Sequence, residues 1–129
     1  MTASDVEREA LGAVERYLAA LNARDTVAIR DAFNFPHMRI GATGNLSRFE
    51  TAEDYDFSHF FNKTSKDGWH HTEWDKTEVV YATEGKAHVA VDFTRYREDG
   101  SVIGHYFSLY IVTNQNGHWG IQAGSGNGS

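Results

Sequence analysis

Two side chains in the segment His37-Met38-Arg39-Ile40 have the types and spacing to do chemistry together. Two residues apart on a strand, His37 and Arg39 share one face. An arginine placed so holds a carboxylate, a phenolate or an enolate, and a histidine, with an intrinsic pKa near neutrality, moves a proton. Alternation defines two faces but does not say which is inside. The competing arrangement turns Met38 and Ile40 inward and leaves His37 and Arg39 on an outer face or a dimer contact. A second histidine, His105, sits between Ile103 and Phe107 on an otherwise apolar strand face. Histidine there is more often a hydrogen-bonded core or cavity-mouth residue than a catalyst. Tyr17 falls on a helical stripe, where an aromatic usually packs, yet its hydroxyl needs a partner if buried. The candidate catalytic set is His37, Arg39, His105 and Tyr17.

The run His70-His71-Thr72-Glu73-Trp74-Asp75 is the densest group of metal-ligand types. His71, Glu73 and Asp75 alternate onto one strand face, and the pair His71 and Glu73 with a distant second histidine would make an open site of two histidines and one carboxylate. A solvated strand start explains the same residues, and we expect no metal. The opposite parity sets Trp74 beside Thr72 and Lys76, as a wall for a flat ligand. The charged run Asp92 to Asp99 ends a strand at a turn, where cross-strand charge pairs account for it. No phosphate-binding glycine loop and no nucleophile elbow is present, so neither a cofactor nor covalent catalysis is expected.

The elements that must position these groups follow from periodicity. Ser4-Asp5-Val6-Glu7 has the form of a capping box, and Val6, Ala10, Ala13, Val14, Tyr17, Leu18 and Leu21 recur at helical spacing, predicting a helix that ends near Asn22. Asp25 caps a shorter helix from Thr26 to Phe33, with Pro36 as its stop. A hairpin then runs from His37 to Phe49. Thr51-Ala52-Glu53-Asp54 leads into a third helix that carries Tyr55, Phe57, Phe60 and Phe61. The second half changes to period two. His70 to Ala82, Ala87 to Arg97, Val102 to Asn114 and His118 to Ala123 read as an antiparallel meander. Ala87, Val89, Val91 and Phe93 form its helix-facing side, answered by Ile103, Phe107, Leu109 and Ile111, and by Trp119 and Ile121. Gly124 to Ser129 lacks side chains worth burying and reads as a flexible tail.

The chain has 129 residues, eight Phe, six Tyr and three Trp, enough for one sizeable core. Its 18 acidic and 12 basic residues leave a net charge of −6 with no basic run, so a phosphate backbone would be repelled and nucleic acid is not an expected partner. No cysteine is present, which removes disulfides, thiolates and cysteine metal sites. The polar N-terminal residues and the lack of a long apolar window lead us to expect a cytoplasmic protein without a membrane span.

Arg16-Tyr17-Leu18 followed by Asn22-Ala23-Arg24-Asp25-Thr26-Val27-Ala28-Ile29, together with Tyr110-Ile111-Val112-Thr113-Asn114-Gln115-Asn116-Gly117-His118-Trp119, resembles the NTF2-like superfamily over residues 5 to 123. That superfamily includes SnoaL-like polyketide cyclases, limonene-epoxide hydrolases, scytalone dehydratase and ketosteroid isomerase. Phe35 to Ile40 and Thr94 to Gly104 are similar to bacterial members of unassigned function. The resemblance implies an α+β cone, with three helices from the N-terminal half packed on a strongly curved mixed or antiparallel sheet. It implies one domain, residues 1 to 123, with 124 to 129 as the tail, and a homodimer formed through the outer sheet face. It turns His37 and Arg39 inward and sets Tyr17 where ketosteroid isomerases carry a tyrosine. At the place of their proton-shuttling carboxylate stands Gly41, and at that of their hydrogen-bonding aspartate stands Leu109, so that isomerisation is disfavoured.

These expectations combine into an apolar cavity walled by Phe33, Tyr55, Phe57, Phe60, Phe61, Trp74, Val91, Phe93, Phe107 and Ile121. It would take a small apolar or aromatic ligand carrying a carbonyl, phenol or carboxylate group. If catalytic, it would isomerise, dehydrate or cyclise, with His37 or His105 as acid/base and Arg39 or Tyr17 stabilising an oxyanion. The alternative is a non-catalytic binding or assembly module.

Overall fold

A computed structural model describes residues 1–128. Helix α1 (Ala3–Asn22) opens two residues earlier than the sequence pattern indicates, because Thr2 and Asp5 make the capping box. Asp5 N donates to Thr2 Oγ1 at 3.2 Å, and Thr2 N returns a bond to Asp5 Oδ2 at 2.8 Å. Its buried stripe includes Ala10, Ala13 and Ala20, whose small side chains let the helix lie close to the sheet. Asn22 fastens the far end: its amide donates to the Thr72 carbonyl and its carbonyl accepts from Thr72 N, both at 2.9 Å. Asp25 then caps α2 (Thr26–Asp31) through Ala28 N.

That second helix stops at Asp31 rather than running to Phe33, since Phe33 already begins strand β1 (Phe33–Ile40). Pro36 lies inside the strand, within the stretch from Phe33 to Met38 where the register shifts, consistent with its missing N–H. β2 (Leu46–Phe49) completes the hairpin. Thr51 and Asp54 do form a capping box, but on a single 3₁₀ turn, and the regular helix α3 (Ser58–Thr64) starts only after Phe57.

Strands β3 (Trp69–Ala82), β4 (Lys86–Arg97), β5 (Val102–Gln115) and β6 (His118–Gly126) form the antiparallel meander. The six strands make one curved, open sheet in the order β2-β1-β6-β5-β4-β3, in which only the β1–β6 pairing is parallel. Helices cover its concave face. The architecture is therefore α+β, with a mixed sheet.

The register assigns the faces. On β4, Ala87, Val89, Val91 and Phe93 point into the concave core and are 4% exposed or less. Opposite them on β5 stand Val112, Tyr110, Ser108 and Tyr106. This corrects the face expected for β5: His105, Phe107, Leu109 and Ile111 lie on the convex side, and Phe107 is 44% exposed. Both faces of this strand carry large side chains, so alternation alone could not choose between them.

A second correction concerns the segment read as a tail. β6 continues to Gly126, pairing Gly124 with both Arg39 and Tyr110, and Gly126 with Ser108. Asn127 then exchanges hydrogen bonds with the backbone of Phe107. Residues 124 to 128 belong to the fold, and Ser129 lies outside the described residues. Close approach, not flexibility, favours glycine here, and at Gly126 demands it. A methyl group on Gly124 would sit 3.0 Å from Arg39 Cδ, and one on Gly126 would meet the Phe107 carbonyl and, at 2.5 Å, Ser108 Oγ.

Candidate functional site

The concave face and α3 line a cleft of about 700 Å³ when the open solvent at its mouth is counted in. Arg39 reaches it from β1. Its guanidinium carbon stands 5.3 Å from the ring centroids of Tyr17, Phe33 and Tyr110 alike, a cation held among aromatic rings. Its Nε–H donates to His37 Nε2 at 2.8 Å.

His37 lies behind Arg39, fully buried and stacked on Phe33 at 3.8 Å. Nδ1–H donates to the Ile121 carbonyl at 2.8 Å, which leaves Nε2 as the acceptor for Arg39. Both ring nitrogens are engaged and the ring is neutral. Burial, followed by the Arg39 charge, pushes the His37 pKa well below its ordinary value. So placed, His37 positions Arg39 and has no free nitrogen with which to move a proton.

Burial by itself would weaken the charge on Arg39, but the negative charge that the surrounding tyrosines would carry on ionising outweighs it and shifts its pKa upward. Burial in turn pushes the Tyr110 hydroxyl up to about 12, and raises Tyr55 still further. The centre is thus a permanent cation ringed by neutral phenols. None of the ion pairs among the described residues involves Arg39.

A second arginine enters from β4. Arg95, paired across β3 with Thr72, lies over Tyr106, Phe60 and Phe93 at 4.6, 5.2 and 5.6 Å. Its Nη2 donates to the Gly128 carbonyl at 2.7 Å, while its Nε is buried without a hydrogen-bond partner among the described residues. Trp74, beside Phe93 on the same wall, has a buried Nε1–H that is likewise unpartnered. His59 and Lys63 of α3 also line the cleft, and no Asp or Glu is among its described lining residues. The cleft is rich in cations and donors inside a chain of net charge −6.

Six expected residues line the cleft: Tyr17, Arg39, Tyr55, Phe60, Trp74 and Phe93. Phe33, Val91 and Ile121 are core residues beneath it. Phe57 and Phe61 instead flank Trp69 and Arg24. His105 and Phe107 are on the other side of the sheet, where His105 Nδ1 lies 2.8 Å from Thr94 Oγ1 and Thr94 in turn donates to Asp75 at 2.6 Å. The expected face of His71, Glu73 and Asp75 is divided likewise: His71 pairs with Glu73 at 3.0 Å, and Asp75, extra at a bulge, turns to Thr94. Among the described residues, no three His, Asp or Glu side chains converge on a metal position.

Arg95, Tyr110, His59, Ser108 and Phe49 also line the cleft but were not singled out by sequence. Arg95 was open to discovery, because it continues the alternation of Val89, Val91 and Phe93 on β4. His59 carried no such signal. Its Nδ1 lies 3.1 Å from both the amide and the carbonyl of Asp56, and Nε2 has no hydrogen bond among the described residues.

Residues 8–126 match the model of a family described as NTF2-like protein (DUF6841). The fold is shared with solved structures. An NTF2-like protein of unknown function from Shewanella oneidensis superposes with a TM-score of 0.73 at 13% identity, covering 94% of this chain and 98% of that one. A protein with a cystatin-like fold from Nostoc punctiforme gives 0.75 at 18% identity, covering 98% and 92%. A ketosteroid isomerase-like protein from Erwinia carotovora gives 0.70 at 16% identity, covering 98% and 97%. At these identities the likeness is one of fold. Comparison with curated proteins finds no match.

Proposed function

This chain belongs to the NTF2-like family whose model it matches, and from that premise we propose that it binds a small organic anion with a flat apolar body. The carrying observation is Arg39: a half-buried cation among three aromatic rings, oriented by His37, with no carboxylate partner among the described residues. A carboxylate, phenolate or enolate supplies the missing charge, and the aromatic walls take the remainder of the molecule. A hydrogen bond to a charged group contributes about 1.5–3 kcal/mol, or roughly ten- to a hundredfold in affinity. Naphthoate should therefore bind at least tenfold tighter than its methyl ester in calorimetry, and Arg39→Met should remove the difference. Equal affinity of acid and ester in the native protein would refute the reading.

A lyase or isomerase reading has one specific support, the free Nε2 of His59 at the same cleft. In that reading Arg39 and the phenols of Tyr17, Tyr55 and Tyr110 stabilise an enolate, and His59 takes the place assigned by sequence to His37 or His105. For assembly, the convex face presents Phe107 and Ile40, 44% and 45% exposed, as the apolar surface of a homodimer.

A further inference from the structure

We infer that the ligand is two-headed: a flat dianion that engages Arg39 with one acidic group and the Arg95–Trp74 pair with the other. This rests on the anion-binding reading of the same cleft. Arg95 Nε and Trp74 Nε1 are buried donors on two cleft-lining residues, and neither has an acceptor among the described residues. Buried donors in native proteins nearly always find a partner, so two of them together with an arginine that has no carboxylate mark a place for an acceptor group. The chain itself supplies a partial stand-in, since the Gly128 carbonyl already occupies Arg95 Nη2.

The two anchors lie along one track. Gly124 abuts Arg39 and Gly128 abuts Arg95, each with its would-be Cβ 3.0 Å from the arginine side chain. Gly124 lies in β6, which ends at Gly126, and Gly128 follows in the turn beyond it, so the two backbone contacts are less than about 13 Å apart, the span of four fully extended residues. Between the anchors runs continuous aromatic wall: Tyr17 and Tyr110 contact each other at 5.9 Å, and Trp74 contacts them at 6.4 and 6.3 Å. That wall fits a rigid planar spacer rather than a polar one. One acidic group leaves the second cation and both orphan donors unmet, whereas two satisfy both ends.

The test compares terephthalate with its monomethyl and dimethyl esters, and the longer biphenyl dicarboxylate with its corresponding esters, by calorimetry on the whole chain. The dianion of at least one spacer length should bind about tenfold tighter than its monoester. Arg95→Met should erase that gain by weakening the dianion about tenfold more than the monoester, and Arg95→Lys should restore part of it. Trp74→Phe, which deletes only the indole donor and some ring area, should reduce the gain without erasing it. If naphthoate and the monoesters bind but neither dianion gains, or if Arg95→Met weakens monoester and dianion alike, the two-headed ligand is wrong and the anion site stands. Failure of every acid to bind would overturn both.

Discussion

The two faces of this one sheet treat charge in opposite ways. On the concave face Arg39 and Arg95 lie among aromatic rings, and His37 behind Arg39 has both nitrogens engaged. On the convex face acids and histidines pair off: Asp75 with Thr94 and His105, and Glu73 with His71. The same residue types serve recognition on one side and self-satisfaction on the other. What separates them is whether the protein supplies the hydrogen-bonding partner. Where it does, the cluster is closed; where it does not, a ligand has something to complete.

Putting an acid on the concave face should break this contrast most severely. Ser47 pairs with Arg39 across β1 and β2 and lines the cleft. Ser47→Asp should neutralise Arg39 internally and weaken naphthoate binding by about a hundredfold, roughly 3 kcal/mol. Unchanged affinity would mean that Arg39 is not the anion's anchor.

Removing the support behind Arg39 should come next. His37→Leu leaves Arg39 Nε and the Ile121 carbonyl unpaired in the core, at a cost of about 2–4 kcal/mol in denaturant unfolding. It should also alter the acid dependence of stability. The folded pKa of His37 lies well below 6.5, so the unfolded chain takes up this proton first as the pH falls. The contribution is complete above pH 6.5 and is lost progressively as the pH drops below it. Wild type should therefore lose part of its advantage over His37→Leu on acidification, and parallel stability curves would show that His37 is not held neutral. The smallest effect is expected on the convex side, where His105→Ala should leave naphthoate affinity within twofold. A tenfold loss would place His105 in the ligand's path.

Much of the scaffold was legible because it rests on strong periodicity. The stripe of α1 and the buried face of β4 follow directly from their spacing, as does the pairing of His37 and Arg39 on one face. The errors share a cause. On β5 the concave side carries the polar-tipped Tyr106, Ser108 and Tyr110, the last two lining the cleft, while apolar Phe107 and Leu109 face outward. Hydrophobicity points the wrong way wherever a cavity needs hydroxyls. Arg95 was hidden by the same bias, since charge at a strand end reads as surface. Gly124 and Gly126 gave no signal because close packing onto a glycine is written in its neighbours' side chains.

The parallel pairing of β1 with β6 has a kinetic consequence. His37 and the Ile121 carbonyl that orients it are 84 residues apart, and Gly124 closes over Arg39 from the same distant strand. Such a contact forms only after a long loop has closed, and non-local pairings of this kind slow folding. Helix α1 and the meander can organise through nearer neighbours, but the arginine acquires its orientation only when β6 docks. Competence to bind an anion would then be among the last properties the chain gains as it folds, and a ligand bound there would report that the sheet is complete.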